Sequence, residues 1–211
     1  METDLPRERK QVRTTGDDDL TRLRARLAAA AHGAEILDIA YRIIDSPIGS
    51  LLLARTPRGL VRVAFEPDHE AALVTLATVV SPRILLSPKD LDDAARQIEG
   101  YFGGRRRTFT LDLDRALSHG FRGAVQALLP TIPYGLTTSY GALAARAGNP
   151  RAVRAVGSAC ATNPLPIVVP CHRVLRADGS LGGYAGGSPA KAALLTLEAT
   201  HVPPGSCPSS E

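Results

Sequence analysis

Two turn sequences near the start of the apolar part of the chain limit its fold more than any other feature. Ser46-Pro47-Ile48-Gly49 and Thr56-Pro57-Arg58-Gly59 separate three apolar runs of four to nine residues. Runs of that length between proline- and glycine-containing turns are typical of β-strands. The spacing therefore predicts an antiparallel meander with strands within residues 36–44, 51–54 and 60–65.

The elements that follow the meander complete a small α+β domain, which we place at residues 39–117. Residues 70–80 and 88–102 have helical periodicity, and the alternating apolar residues at 109–113 predict a further strand. This part of the chain contains no cluster of catalytic residue types.

An extension, residues 1–38, precedes that domain. Its leucines at positions 20, 23 and 27 follow three aspartates and have the spacing of a short helix that ends at Gly33. Residues 1–16 and 204–211 have no pattern, so we predict flexible tails there.

The composition excludes several classes of protein. Hydrophobic residues make up 44% of the chain and charged residues 22%, which excludes wholesale disorder. No apolar run reaches the roughly 18 residues of a membrane span, and the N-terminus lacks the apolar core of a secretory signal. Three cysteines, Cys160, Cys171 and Cys207, cannot form a disulfide framework, so we expect a cytoplasmic protein.

Residues 118–203 predict a second, mostly helical domain. An apolar helical stripe at 121–129 ends at Pro130, and Ser139 can cap a helix over 140–147. Gly148 ends that helix, and Asn149-Pro150 then predicts the cap and first position of another, which runs to about Cys160. Helix, short glycine turn and helix form the helix-turn-helix pattern, although many helical proteins contain such a corner.

The second helix of this pair carries one long side chain, Arg154, among small residues. A helix that reads the major groove normally presents several polar side chains to the bases. Small residues permit close approach of another backbone, either within the protein or on DNA. The last 91 residues hold seven basic and three acidic residues. This excess alone favours a solvated surface over a nucleic-acid site.

Residues 163–174 carry the strongest chemical signal. A short apolar run between prolines, with the composition of a β-strand, is followed directly by Cys171 and His172. A thiol is mostly protonated near neutral pH, so a nucleophilic cysteine requires a base, and the base requires an orienting group. Among three nearby acids, Glu198 on the apolar helix 188–199, with Ser188 as its predicted cap, is the best candidate. The alternatives, an inert core cysteine and an exposed glutamate, stay open on spacing alone.

Four glycines within residues 182–187 allow a ligand to approach the backbone closely. The Lys-Ser/Thr of a phosphate loop is missing, so a wall of a planar-base pocket with Tyr184 as its stacking surface fits better. An ordinary flexible loop is the alternative.

These residues together resemble the O6-alkylguanine-DNA alkyltransferase family. The shared motifs are Pro170-Cys171-His172-Arg173-Val174, Pro133-Tyr134-Gly135, Thr138-Ser139-Tyr140, Gly148-Asn149-Pro150, Ala152–Gly157, Asn163-Pro164 and the 182–187 loop, in family order. The resemblance is strong over 119–199 and weak over 39–113. It implies an α+β domain followed by a winged-helix-like domain that contains the helix-turn-helix.

The family implies direct-reversal DNA repair without a cofactor or metal. Cys171 would take the alkyl group from O6-alkylguanine, or from O4-alkylthymine, and keep it, so that each molecule reacts once. His172 would remove the thiol proton through water and Glu198 would polarise His172. Tyr140 would help to rotate the nucleotide and protonate the departing guanine, while Arg154 would fill the vacated stack.

The resemblance also implies the remaining contacts. The base pocket would be lined by Asn163, Val174, Tyr184, Ala185 and Gly186, and the DNA surface by Tyr140, Arg154, Ala155, Gly157 and Ser158. The expected partner is double-stranded DNA with alkylated bases, bound through the minor groove by a monomer. Ala185 and Gln126 depart from the usual family residues, and residues 1–35 have no family counterpart.

Three other functions compete with this prediction. A non-reacting lesion-binding protein would lack Cys171. A cysteine hydrolase built on Cys171, His172 and Glu198 would turn over many times and leave the helix-turn-helix unexplained. A transcriptional regulator of the adaptive-response kind would carry a metal-binding cysteine module ahead of residue 39, and none is present in this sequence.

Overall fold

The structure, a computed structural model, describes residues 15–34 and 37–201. The first helix, α1, spans Thr15–Gly33 and ends at the predicted glycine, but it begins inside the predicted tail. The rest of that tail, the predicted tail at 204–211 and Cys207 lie outside the described residues. The predicted leucine stripe of α1 is about half exposed.

The predicted meander is confirmed by three antiparallel strands. They are β1 (Ile39–Ile44), β2 (Leu51–Thr56) and β3 (Gly59–Phe65). The two helices are confirmed as α2 (His69–Val79) and α3 (Asp92–Phe102), the latter preceded by a 3-10 turn. A short strand that the pattern did not predict, β4 (Ile84–Leu86), pairs parallel to β1, and the sheet order is β3-β2-β1-β4.

The strand predicted at residues 109–113 is wrong. Only Leu113 bridges β3, where Leu60 exchanges hydrogen bonds with Asp112 and Asp114. Farther along the same edge, the Val63 N–H donates to the carbonyl of Pro164 at 2.8 Å. The free edge of β3, where a fifth strand would pair, is therefore occupied by residues 112–114 and by the turn that leads to Cys171.

The second half is mostly helical, as predicted. Its elements are α4 (Gly120–Leu128), β5 (Thr138–Ser139), α5 (Tyr140–Arg146), α6 (Val153–Ala161), β6 (Val174–Leu175) and α7 (Gly187–Thr200). Strands β5 and β6 pair in parallel, and α4, α5 and α6 pack on one another.

The helix caps match the sequence only in part. Ser139 Oγ accepts a 3.1 Å hydrogen bond from the Ala142 N–H, which confirms the cap of α5. The cap predicted at Asn149 is wrong, because its carbonyl closes a turn with the Ala152 N–H and α6 begins only after Ala152. The Ser188 cap is also wrong, because α7 already begins at Gly187 and follows Gly186.

Both halves contribute to one main hydrophobic core. Buried Leu53 and Ile98 from the first half belong to the same cluster as Leu143, Val156 and Val169 from the second. A smaller cluster lies between the sheet and α2. Within the described residues, no helix is long and apolar enough to cross a membrane.

Candidate active site

A buried turn, not the predicted β-run, carries the cysteine. Asn163 holds this turn, because its Nδ2 donates to the Val169 carbonyl at 2.7 Å and to Cys171 Sγ at 3.2 Å. Its Oδ1 accepts from the Leu165 N–H at 3.1 Å. Ile167 has a φ of 74°, a left-handed conformation that a β-branched residue keeps only when its surroundings fix it. One amide thus links the turn to the nucleophile.

Cys171 and His172 lie in a 3-10 turn and are both buried, so they do not alternate along an extended segment as predicted. Burial raises the pKa of the Cys171 thiol to about 11, against the hydrogen bond from Asn163 and the charge of Lys191. The resting group at neutral pH is therefore a thiol, and its reaction as a nucleophile requires a base.

His172 can serve as that base because it is held neutral. Burial lowers its pKa, and the hydrogen bond and charge of Glu198 oppose the shift only in part. Nε2 lies 2.9 Å from Glu198 Oε1. A carboxylate only accepts, so the proton of the neutral ring is on Nε2. Nδ1 is buried and makes no hydrogen bond to the described protein atoms, which leaves its lone pair as the acceptor.

Glu198 lies at the centre of the polar cluster and is only 1% exposed. It accepts five hydrogen bonds: from Tyr101 Oη at 2.7 Å, His172 Nε2 at 2.9 Å, Arg173 Nη2 and Nε at 2.8 and 2.9 Å, and the Gly135 N–H at 3.0 Å. Burial alone would raise its pKa, but the hydrogen bonds from His172 and Arg173 bring the pKa down to about 2. The carboxylate therefore stays charged and orients His172 without taking its proton.

The sequence did not identify three partners of Glu198, which are Tyr101, Arg173 and the Gly135 N–H. Arg173 belongs to the family motif but has no predicted role, although it is buried and also donates to the Ile132 carbonyl at 2.6 Å. Tyr101 comes from α3 in the first domain, where no catalytic residue was expected. Its position fits an apolar helix face, so nothing in the local pattern distinguishes it from a core tyrosine.

The glycine-rich segment packs closely on Tyr140 and Phe65, and its own Tyr184 contacts His172. A side chain at Gly182, where φ is +64°, would come within 2.7 Å of Tyr140 Oη. The Tyr184 ring is edge-on to His172, with ring centroids 6.3 Å apart. Gly186 packs on Phe65 from β3, Ala185 is exposed, and the carbonyl of buried Val174 accepts from Lys191 Nζ at 2.6 Å.

Helix α6 has one exposed and one buried face. Arg154, Ala155 and Ser158 are exposed and Gly157 is half-exposed, while Val156, Ala159 and Cys160 are buried. Gln126 replaces an expected aromatic side chain and donates from Nε2 to the Ala159 carbonyl at 2.9 Å, which ties α4 to α6. The small residues on one face of α6 thus pack inside the protein. On the other face, small side chains form a low-relief surface from which only the Arg154 side chain projects.

Across residues 15–34 and 37–201, no group of three or more His, Cys, Asp or Glu side chains could hold a metal ion.

Known proteins are similar to this chain in both sequence and fold. The family model for the DNA-binding domain of 6-O-methylguanine DNA methyltransferase matches residues 120–200, and the model for its ribonuclease-like domain matches 39–115. A methylated-DNA–protein-cysteine methyltransferase of Mycolicibacterium paratuberculosis is 41% identical over 170 residues, which are 78% of this chain and 95% of that protein.

Two further relatives extend the comparison. The bifunctional transcriptional activator/DNA repair enzyme Ada of Escherichia coli is 40% identical over 172 residues, which are 81% of this chain but only 48% of Ada. The crystal structure of Mycobacterium tuberculosis OGT in complex with DNA has a TM-score of 0.67 and 40% identity, and the match covers 78% of this chain and 96% of that one.

The match to a DNA-binding domain and the geometry of the site together define a DNA-binding class of protein with a buried cysteine next to a histidine that a glutamate orients. Matches of this extent then identify the family, and the chain belongs to the 6-O-methylguanine DNA methyltransferases, also named methylated-DNA–protein-cysteine methyltransferases.

Proposed function

We propose that the protein repairs DNA by transferring the alkyl group of O6-alkylguanine irreversibly to Sγ of Cys171. The observation that carries this proposal is the arrangement of a buried Cys171 thiol, held by Asn163, next to a neutral His172 that Glu198 orients. No step requires a cofactor.

In the proposed reaction His172 Nδ1 takes the thiol proton through a water molecule. The thiolate attacks the alkyl carbon in line with the C–O6 bond, so the S–C bond forms as the C–O6 bond breaks. The electron pair of that bond goes to the guanine, which receives a proton from Tyr140 Oη. The proton on His172 returns to Tyr140 through solvent, so atoms and charge balance.

The product is a thioether, which offers water no leaving group. The protein is therefore consumed after one transfer. This outcome separates an alkyltransferase from a cysteine hydrolase with the same three residues, because a hydrolase regenerates its thiol and turns over many times.

DNA would bind to the exposed face of α6. We propose that this face enters the minor groove, that the damaged base rotates out of the duplex into the pocket, and that Arg154 occupies the space it leaves. The low surface of Ala155, Gly157 and Ser158 supports close approach to the backbone. Asn163, Val174, Tyr184, Ala185 and Gly186 would bind the rotated base, with the Val174 and Ala185 backbones as its polar contacts.

Other parts of this proposal come from the sequence. The domain limits at 39–117 and 118–203, a monomeric state and a cytoplasmic location stay predictions. O4-alkylthymine is a second possible substrate of the same chemistry.

The decisive experiment is the intact mass of the protein after incubation with duplex DNA that contains O6-methylguanine. We expect one added methyl group, on the peptide that contains Cys171, and no further gain with excess DNA. A methyl group on another residue, or repeated turnover with an unmodified cysteine, would contradict the proposal.

A further inference from the structure

Gln126 is a buried glutamine of α4 whose amide contacts the end of α6. It is 2% exposed, and its Nε2 donates to the Ala159 carbonyl at 2.9 Å and, more weakly, to the Thr162 carbonyl at 3.5 Å. An amide nitrogen carries two N–H groups, so these two bonds use both. Its Oε1 is buried and makes no hydrogen bond to the described residues. The polar contribution of this side chain is therefore its two donors.

The end of α6 requires a donor because the chain changes direction at residues 159–163, the α6 corner. In a regular helix the Asn163 N–H would donate to the Ala159 carbonyl, but here it donates to the Cys160 carbonyl at 3.3 Å. The helix thus leaves the Ala159 carbonyl open at its C-terminal end, where Ala159 is 0% exposed. A buried carbonyl without a donor is costly, and Gln126 supplies the donor from a neighbouring helix.

The α6 corner leads directly to the residue that holds the cysteine. Thr162 immediately precedes Asn163, whose Nδ2 donates to the Val169 carbonyl and to Cys171 Sγ. The bond from Asn163 lowers the pKa of the Cys171 thiol, against the larger effect of burial. A hydrogen bond weakens steeply when its angle and length change, so a rotation of the corner would weaken this one. Two amides in sequence, those of residues 126 and 163, therefore connect α4 to the nucleophile.

The same corner fixes the direction of α6. Exposed Arg154 lies in the first turn of α6, and Gln126 holds its last turn. A helix of nine residues keeps its two ends in a fixed relation, so the angle at the corner decides where Arg154 lies relative to Cys171.

We propose that Gln126 is a positioning residue for alkyl transfer, which closes the end of α6 and thereby holds the Asn163 amide against Cys171 Sγ and α6 at a fixed angle to the active-site turn. The inference rests on the proposed function and extends it to a side chain of α4. The large aromatic residue expected at this position has at most one donor, so it could fill the space but could not bind both carbonyls.

Gln126→Met tests this role because it keeps the length of the side chain and removes both donors. Gln97→Met is the matched control. Gln97 is a buried glutamine of α3 that donates to Asp93 and accepts from the Thr110 N–H, both at 2.9 Å, so its loss removes two hydrogen bonds that do not involve the α6 corner. Circular dichroism and urea unfolding establish that each variant is folded. If Gln126→Met does not fold, Gln126→Glu, which keeps the shape, is measured in its place with the same expected direction.

The first readout is the pH at which labelling of Cys171 by iodoacetamide reaches half its maximum, measured by peptide mass. This assay needs no DNA. We expect Gln126→Met to move that pH upward by roughly half a unit, because the Asn163 amide holds the sulfur less well, and Gln97→Met to keep the parent value. When Asn163→Ala is already present, Gln126→Met should add no further shift, because the two act in sequence.

Two results would overturn the proposal: the parent labelling pH in a folded Gln126→Met protein, or shifts that add in the double variant. If Asn163→Ala does not fold, the comparison of Gln126→Met with Gln97→Met decides, and equal profiles in these two variants would overturn the proposal.

Reaction rates test the effect on α6. In Gln126→Met, transfer from duplex O6-methylguanine should fall roughly tenfold and reaction with free O6-benzylguanine roughly threefold, because only the duplex substrate also depends on the angle of α6. Gln97→Met should keep the parent rates, and equal losses on both substrates in Gln126→Met would contradict the effect on α6. A parent protein that reacts with neither substrate would refute the proposed function, whereas the labelling profiles would still test Gln126.

Discussion

The hydroxyl of Tyr101 donates a 2.7 Å hydrogen bond to Oε1 of Glu198, although the two residues belong to different halves of the chain. Both side chains are buried, and the same hydroxyl lies 3.4 Å from His172 Nε2. The carboxylate that orients the base is therefore held partly by a side chain of the first domain.

Tyr101→Phe should lower the free energy of unfolding by about 1.5–3 kcal/mol, because it removes a hydrogen bond to a charged group. Reaction with O6-benzylguanine should slow but persist, since His172 keeps its bond to Glu198. Urea unfolding and single-turnover kinetics measure the two effects. Tyr41→Phe is the control, because no hydrogen bond of the Tyr41 hydroxyl is found in the described part of the chain; equal losses in both variants would deny Tyr101 a specific role.

Cys171→Ser should abolish alkyl transfer while duplex binding persists. A serine hydroxyl is a far poorer nucleophile near neutral pH, and the proposed DNA surface lies on the opposite face of α6 from the core. Intact mass detects transfer, and a gel-shift assay measures binding. Cys160→Ser, which changes the other buried thiol, should still accept the methyl group; a methylated Cys171→Ser protein would show that the nucleophile is wrongly assigned.

Arg154→Ala should impair repair of duplex DNA much more than reaction with free O6-benzylguanine. Arg154 is exposed and would act only on the rotated state of the nucleotide, whose unstacking costs a few kcal/mol. Transfer rates on the two substrates give the comparison, and Arg96→Ala, at an exposed position of α3, controls for lost positive charge. Equal losses on both substrates would place Arg154 in the chemistry or the fold.

Glu198→Gln should slow reaction with O6-benzylguanine and move the pH of half-maximal iodoacetamide labelling upward. The neutral amide cannot stabilise a charged imidazole as a carboxylate does, so His172 becomes a weaker base. Peptide mass of the Cys171 fragment provides the profile, and Glu70→Gln in the first turn of α2 is an exposed control. If a folded Glu198→Gln protein has the same pH dependence of labelling as the parent, the carboxylate contributes to packing and does not affect the Cys171 thiol.

The same carboxylate should make stability depend on acid pH. Its folded pKa of about 2 lies below the value near 4.3 of an unfolded glutamate, so its contribution is complete above about pH 5 and is lost as the pH falls through the folded pKa. The shift corresponds to roughly 3 kcal/mol. The stability difference between the parent and Glu198→Gln, measured by urea unfolding, should therefore shrink between pH 5 and 2, and a constant difference would contradict this assignment.

The sequence predicted the meander, the helix-turn-helix and the residues of the relay, because each depends on local spacing or a short motif. It could not predict the shape of the active-site turn. The apolar residues there favour a β-strand, but hydrogen bonds from the Asn163 amide to groups six and eight residues away stabilise a turn instead. Tyr101 and Lys191 were missed for a related reason. The apolar pattern of a helix does not show that a polar group on one of its side chains forms a hydrogen bond to a residue far along the chain. The separation is 97 residues for Tyr101 and 17 residues for Lys191.

The bond from the Val63 N–H to the Pro164 carbonyl has a consequence for solubility. An open strand edge offers its unpaired amides to any neighbouring chain and invites sheet extension between molecules. Here the segment that carries Asn163 occupies part of that edge, and residues 112–114 occupy the rest near Leu60. A change that loosens the cysteine turn would therefore release a template for aggregation, so damage to the nucleophile's scaffold and precipitation of the protein should occur together.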